Sequence, residues 1–183
     1  MAKETFNFGD GPVPAHRHKN PNGSLGGWVA NTATVAPTAY VGRNARVYDE
    51  AWVIDKARIT GRAKVNEWAA VSESAWVAES AWVHGHAEIS GRARLLWTVH
   101  VGGQAVVSGR VKVIGNATIH GTALVLDDSV VGDSAIISGA ARVVGRSWVF
   151  GSSWVWGEVD DMNICGVVVP CPEFAEALTW GVR

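Results

Sequence analysis

The chain has 183 residues, of which 48% are hydrophobic and 18% charged, and 16 Lys and Arg against 17 Asp and Glu leave a formal charge of −1. This balance provides no general attraction to nucleic acid or to an anionic membrane, so neither is expected as a partner. No run of about 18 apolar residues and no secretory signal is found, which predicts a cytoplasmic protein. The two cysteines, Cys165 and Cys171, are too few for a disulfide framework and are expected to be reduced thiols.

Residues 1–23 are rich in Gly, Pro, Asn and His, and they carry no periodic apolar pattern. Such a composition is typical of loops and turns rather than of regular elements. We therefore predict an irregular N-terminal cap over residues 1–23.

Residues 24–157 repeat with a period of six. An aliphatic residue stands at every sixth position from Val29 to Val155, which makes 22 in succession. Two residues before it lies a small residue, Ala at 16 of the 22 positions. Two residues after it lies Gly at 11 positions and Asp, Glu or Asn at eight more. Each hexad therefore combines a short strand with a corner.

The spacing within each hexad predicts an all-β fold. The small and aliphatic residues are two apart, so they point to the same side of a strand, and the residues between them point out. A bend after every short strand excludes a helix or a hairpin meander. Three hexads make one triangular coil of 18 residues, so the 22 hexads predict a parallel β-solenoid of about seven coils.

Residues 158–183 are predicted to form a C-terminal cap or interaction tail. The period demands an aliphatic residue at 161, where Asp161 stands, so we expect the solenoid to stop there. Residues 164–169 read as one strand, and residues 172–178 as a short helix with Phe174 and Leu178 on one face. Both tails are expected to cover the open ends of the solenoid.

The hexads resemble those of a known superfamily. The segment Val41-Gly42-Arg43-Asn44-Ala45-Arg46 is similar to the usual hexad of the hexapeptide-repeat left-handed parallel β-helix proteins, which include the trimeric UDP-N-acetylglucosamine acyltransferases. Half of the hexads here place Gly one position later, as in Ile59-Thr60-Gly61. Together with the initial segment Ser24-Leu25-Gly26-Gly27-Trp28-Val29, this variant resembles the YdcK-like proteins of bacterial and phage genomes. The resemblance covers residues 24–157 and implies left-handed winding and a trimer. A right-handed solenoid of the bactofilin kind is the alternative.

Three histidines suggest a metal site, but the set of ligands is incomplete. Folding the repeat places His84 and His120 in one outward column two coils apart, with His100 in the adjoining column. Residues 117–122 are similar to a ligand strand of the hexapeptide-repeat carbonic anhydrases, but the companion histidine of that family falls on Gly115. The ligand set is incomplete, so we expect surface histidines and no metal or other cofactor.

An acyltransferase is the alternative function that the superfamily implies. Those enzymes keep a catalytic histidine in a cleft between subunits and bind acyl donors with loops or domains that interrupt the coils. Here the hexads run without an insertion, and sites are usually built on loops that a rigid scaffold holds. A non-enzymatic protein is therefore favoured.

The tryptophans point outward, because most of them directly precede an aliphatic residue. One outward column begins Tyr40, Arg58, Trp76 and Arg94, an alternation of rings and cations at about 5 Å spacing. Cation–π contacts would tie successive coils together in a ladder. The alternative is an aromatic platform for a glycan or a partner protein. Trp97 stands at a corner without glycine, which indicates either a local bulge or a partner contact.

Outward positions turn apolar from about residue 96 onward. A soluble monomer rarely leaves such an area in water, so we expect a homotrimer that packs through it, with the C-terminal tail covering part. The predicted interface residues are Val106, Leu124, Leu126 and Val144, which share one face, followed by Trp148, Phe150, Trp154 and Trp156.

These observations together favour a non-enzymatic structural or interaction module. The family resemblance places it in a phage particle, as a decoration, spike or fibre, or in a bacterial assembly. The expected partners are further copies of the chain and other structural proteins. The expected location is the cytoplasm, or the virion if the chain is phage-encoded.

Overall fold

The computed structural model describes residues 4–166 and 168–169, which form a parallel β-solenoid. The first strands are β1 (Thr5–Asn7), β2 (Pro12–Lys19), β3 (Leu25–Ala30), β4 (Thr34–Val35), β5 (Tyr40–Val41), β6 (Arg46–Val47), β7 (Trp52–Val53), β8 (Arg58–Ile59), β9 (Lys64–Val65), β10 (Ala70–Val71), β11 (Trp76–Val77), β12 (Trp82–Val83) and β13 (Glu88–Ile89). They are followed by β14 (Arg94–Leu95), β15 (His100–Val101), β16 (Val106–Val107), β17 (Lys112–Val113), β18 (Thr118–Ile119), β19 (Leu124–Val125), β20 (Val130–Val131), β21 (Ile136–Ile137), β22 (Arg142–Val144), β23 (Trp148–Phe150), β24 (Trp154–Val155), β25 (Glu158–Asp160), β26 (Asn163–Cys165) and β27 (Val168–Val169).

The strands stack into three sheets, which are the faces of a triangular prism. Face I has the order β1-β2-β3-β6-β9-β12-β15-β18-β21-β24-β27. Face II contains every third strand from β4 to β25, and face III every third strand from β5 to β26, with eight strands each. The described chain therefore makes about eight turns, one more than the hexad count predicts.

Successive coils are in register at a separation of 18 residues. Val83, for example, lies opposite Val65 on one side and Val101 on the other. The aliphatic residues and the small residues two positions before them are fully buried along nearly the whole axis, and Ala33 and Val35 are the partly buried exceptions at the start. The predicted core and the predicted 18-residue coil are confirmed.

From Asp49 to Gly151, each corner turns through a residue with positive φ. Glycine provides this at positions such as Gly85, and acidic residues adopt the same conformation elsewhere, as at Asp127 with φ of 63°. The acidic corners gain a second interaction, because the Asp127 carboxylate accepts a hydrogen bond from the backbone N–H of Gly145, one coil further, at 3.0 Å. Asp133 binds Gly151 N–H in the same way. At these corners an acidic residue takes the place of glycine, and its hydrogen bond to the next corner offsets part of the cost of a positive φ.

The N-terminal segment is regular, and the predicted irregular cap is wrong in that respect. Strands β1 and β2 pair antiparallel, and β2 pairs antiparallel with β3, which extends face I beyond the first coil. Face III is closed differently. The buried side chain of Asn20 accepts a hydrogen bond from Val41 N–H at 2.8 Å and donates one to Val41 C=O at 3.2 Å, in place of a neighbouring strand.

The solenoid does not stop at Asp161. Strands β25, β26 and β27 pair with β22, β23 and β24, so the coils continue past residue 157. Shorter connections explain the difference, because Val159 and Ile164 become the buried residues of the last coil. Asp161 then lies at a corner with φ of 47°, and its carboxylate accepts a hydrogen bond from Arg146 N–H.

The single strand expected over residues 164–169 is two strands on different faces. Asn163–Cys165 belongs to face III and Val168–Val169 to face I. Gly166, with φ of 66°, provides the bend between them. The helix expected over residues 172–178 lies outside the described residues. None of the described residues belongs to a helix that could cross a membrane.

Candidate functional site

Three of the outward tryptophans donate hydrogen bonds to the preceding coil through their indole N–H groups. Trp76 donates a hydrogen bond to Thr60 Oγ1 at 2.7 Å, Trp82 to Asn66 Oδ1 at 2.6 Å, and Trp154 to Ser138 Oγ at 3.1 Å. The two residues are 16 apart each time. The tryptophan directly precedes a buried residue, and its acceptor directly follows the equivalent buried residue one coil earlier. A polar residue 16 positions before a tryptophan is thus a sequence signal for this hydrogen bond, and the six-residue period alone does not reveal it.

The column of Tyr40, Arg58, Trp76 and Arg94 is arranged as predicted. The Arg58 guanidinium lies 5.4 Å from the centre of the Tyr40 ring and 5.7 Å from that of Trp76. Arg58 is therefore shared by two rings, one from the coil before and one from the coil after. Such contacts contribute about 0.5–1 kcal/mol each at exposed sites, so this part of the column stabilises the stacking of coils.

The histidines surround an indole ring. The His84 ring centre is 4.4 Å from that of Trp82, and the His100 ring meets Trp82 edge-on at 5.5 Å. A Cβ atom on Gly102 would lie 2.4 Å from His84 Cε1, so the imidazole covers this glycine. His120 is exposed in the same column as His84, two coils further.

Burial is the main reason that the pKa of His84 lies below its ordinary value. Glu67 opposes this effect and raises the pKa, whereas His100 lowers it further. Among the described residues, no group of three or more His, Cys, Asp or Glu side chains could hold a metal ion.

The structure places four of the predicted interface residues together on face II. Val106 and Leu124 are paired neighbours on β16 and β19, and Leu126 and Val144 lie in the adjoining column, each directly after a buried valine. All four side chains are half-buried, because residues in one column cover one another. We call these four residues the apolar patch.

The other four predicted residues lie on two different faces. Trp148 and Phe150 are on face III, with ring centres 6.0 Å apart, and Trp154 and Trp156 meet edge-on at 4.6 Å beside face I. Three of these rings are well exposed, Trp148 by 54%, Trp154 by 41% and Trp156 by 38%. The eight residues therefore form three surfaces, and one flat contact cannot use all of them.

Trp97 occupies its corner without a bulge. Its φ of 74° is the conformation that glycine adopts at other corners, and the strands on both sides, β14 and β15, keep their register with the neighbouring coils. The Glu79 carboxylate accepts a hydrogen bond from Trp97 N–H at 3.1 Å. The ring is 55% exposed, so the bulge is excluded and a partner contact stays a prediction.

The structure has a basic cavity at the N-terminal end that the sequence analysis did not predict. It has a volume of about 490 Å³ and lies between the N-terminal strands and the first coils. The spacing of 18 between Trp28, Arg46 and Lys64 is a sequence signal for part of it. The remaining cations come from β2 and from corners. The five basic residues that line it are Arg17, Arg43, Arg46, Arg62 and Lys64.

Comparison of the sequence with protein-family models and with curated proteins finds no match. The parallel solenoid with its 18-residue coil is compatible with a hexapeptide-repeat β-helix. Function must therefore be argued from the surfaces of the prism itself.

Proposed function

We propose that the chain is a non-enzymatic interaction module, a rigid β-solenoid that forms a homotrimer through its C-terminal half. The observation that supports this proposal best is the apolar patch, in which four aliphatic side chains are adjacent on one face of the prism. Two coils earlier on face II, the four equivalent positions carry Ala70, Glu88, Ser90 and Ser108 instead. Contiguous exposed apolar surface of this kind marks interaction sites on soluble proteins.

The shape of the solenoid suits self-association rather than catalysis. From β3 to β27 each strand follows the previous one after a short connection, and no inserted loop interrupts the described coils. A flat sheet face offers a long surface for another copy of the same prism. Closed association of three identical faces would remove the apolar patch from water without leaving an open edge.

The wider setting follows from the resemblance to hexapeptide-repeat proteins. That resemblance supports left-handed winding, a threefold axis along the prism and a role in a phage particle or a bacterial assembly. Other structural proteins of that assembly would then contact the aromatic side chains Trp148, Trp154 and Trp156 or the exposed ring of Trp97. A module of this kind needs no cofactor.

The mass of the purified protein in solution tests the proposal. Light scattering at micromolar concentration should give three times the mass of the 19.4 kDa chain. A wild-type protein that is monomeric under these conditions contradicts the homotrimer.

A pair of matched variants locates the interface. Leu124→Glu with Leu126→Glu places two carboxylates in the apolar patch, and we expect this variant to be monomeric. Ala70→Glu with Ser72→Glu makes the same change in charge at the equivalent positions of face II, 54 residues earlier, and should stay trimeric. Far-UV circular dichroism spectra that match the wild-type spectrum would show that both variants fold. A trimeric Leu124→Glu, Leu126→Glu variant contradicts an interface on face II.

A second pair of variants tests whether the aromatic side chains, rather than the apolar patch, form the interface. If face II carries the interface, Trp148→Ser and Trp154→Ser should leave the trimer intact, because these rings lie on faces III and I. Dissociation by Trp148→Ser alone would place the contact on face III and contradict the face II interface.

A further inference from the structure

We infer that the basic cavity at the N-terminal end binds a small, multiply charged oxyanion of the phosphate type. This site is separate from the proposed trimer interface, because it is built from β1, β2 and the first coils. Its five cations are gathered in a chain whose overall charge is −1, so their clustering does not follow from composition.

The cations of the cavity outnumber the carboxylates near it, since only Glu4 lines the adjoining space that Arg17 and Arg43 share. No carboxylate lines the cavity, and none of the five basic residues forms an ion pair with a described residue. Like charges held close together repel one another, which costs stability unless an anion occupies the space between them. An arrangement of this kind is typical of a binding site for an anion.

Two of the guanidinium groups are held in place by aromatic rings. Arg17 lies 5.3 Å from the centre of the Trp28 ring, and Arg46 lies 5.2 Å from that of Phe6. The two rings are themselves stacked, 4.8 Å apart and inclined by 19°. Stacking restricts these long side chains before any ligand arrives, and this reduces the entropy lost on binding.

Most of the N–H donors of Arg17 are unused within the described residues. One nitrogen, Nη2, donates a hydrogen bond to the carbonyl oxygen of Arg43 at 3.3 Å. This bond fixes the side chain at the wall of the cavity. The fork of donors on a guanidinium matches two oxygens of a phosphate group.

The size and the chemistry of the cavity limit the ligand. A volume of about 490 Å³ is typical of small-molecule sites and exceeds the needs of a single orthophosphate ion. Five cations fit a ligand with more than one phosphate group better than a monoanion. Because the rings of Phe6 and Trp28 already contact each other and two guanidiniums, charge rather than ring stacking would dominate recognition.

A second group of cations provides the control. Arg92, Arg94, Arg110 and Lys112 surround a smaller space of about 290 Å³ between faces II and III. There Arg110 is neutralised by a bidentate pair with Asp128, with distances of 2.6 and 2.7 Å. Aromatic rings do not line this space, so it lacks the fixed geometry of the first cavity.

Calorimetric titration with pyrophosphate at low salt tests the inference on the full chain. We expect one site per chain with an affinity that decreases as salt is added. Arg46→Gln with Arg62→Gln should weaken binding by about tenfold or more, because two charge-assisted contacts are lost. The Arg46 change could also disturb the packing of Phe6. Arg62→Gln alone, at an exposed corner, avoids this and should still weaken binding.

A control variant and a second ligand show whether binding is specific to the cavity and which ligand it favours. Arg94→Gln with Lys112→Gln removes the same charge from the second group and should change the affinity by less than about twofold. Adenosine diphosphate that binds as tightly as pyrophosphate would show that the diphosphate of a larger molecule is sufficient; weaker binding would identify the free ion as the ligand. No heat of binding at millimolar pyrophosphate, or equal losses in the two double variants, would overturn the inference.

Discussion

The two halves of the solenoid share one interior and differ on the outside. Val47 and Val143, near opposite ends, are both fully buried in equivalent stacks. The outward residues of the first coils combine cations with aromatic rings, as in Arg46, Trp52 and Lys64, whereas the later coils add aliphatic side chains such as Leu124 and Val144. The inward pattern alone therefore determines the coil, and each outward position is free to take the chemistry that a partner or ligand requires.

The glycines also differ in how closely the backbone surrounds them, and most corners are tight: a Cβ atom on Gly85 would lie 2.7 Å from the carbonyl oxygen of Gly103. At Gly27, an added Cβ atom would lie 2.2 Å from the carbonyl oxygen of Ala45, whereas at Gly139 it would meet no atom within 4 Å. A glycine that backbone atoms enclose, such as Gly27, should therefore tolerate less change than one that faces open space, such as Gly139. Four substitutions or conditions can test this contrast.

The largest effect is expected for Gly27→Ala. Its Cβ would overlap backbone atoms that cannot move independently, so we expect a loss of about 3 kcal/mol or more. Gly139→Ala should cost only about 1–2 kcal/mol, because its φ of 63° is strained for alanine but the space is open. Urea denaturation of both variants provides the comparison, and equal losses would contradict it.

Removal of the side chain that closes face III should be the next largest change. Asn20→Ala leaves the N–H and C=O of Val41 without their partner, which predicts a loss of about 2 kcal/mol. Hydrogen exchange at Val41 should accelerate. Asn44→Ala, which alters an exposed asparagine three residues after Val41, is the control and should have little effect. Unchanged exchange at Val41 in Asn20→Ala would contradict this account of the closure.

A corner carboxylate in the C-terminal half should contribute less. Asp133→Ala removes the hydrogen bond to Gly151 N–H and keeps the strained φ of 55°, so we expect a loss of about 1 kcal/mol. Asp133→Gly removes the same bond but relieves the backbone, and should therefore be less destabilising than alanine. Thermal melts that rank glycine below alanine would refute the role of φ at this corner.

The smallest effect concerns pH. His84 and His18 both have a pKa below the ordinary value of 6.5, chiefly because of burial. As pH falls below about 6.5, the unfolded chain binds more protons than the folded one, so the free energy of unfolding decreases. The full stability contribution is present above that pH. Melting temperatures measured between pH 7.5 and 5.5 should fall.

A matched pair of histidine variants assigns that decrease. His84→Gln should reduce the fall in melting temperature between pH 7.5 and 5.5. His120→Gln, which alters the exposed histidine in the same column, should not. A fall that is identical in wild type and His84→Gln would contradict the assignment to His84.

The period of six in the sequence was sufficient to predict the interior and the columns. Each buried residue, such as Val83, contacts its equivalents 18 residues away, so one local pattern is repeated along the whole axis. The same arithmetic correctly placed Val106 beside Leu124 and Arg58 between Tyr40 and Trp76. Periodicity succeeds here because every coil has the same neighbours.

The ends and the cavity depended on the tertiary structure. The first coil has no equivalent coil before it, so Asn20 and the strand β2 fill the edge through contacts that no repeat encodes. At the other end, shortened connections turn Asp161 outward to a corner and bring Val159 inward, against the period. The basic cavity likewise combines Arg17 of β2 with cations of the first coils. A repeat determines contacts between like segments, whereas contacts between unlike segments are decided only when the folded chain brings them together.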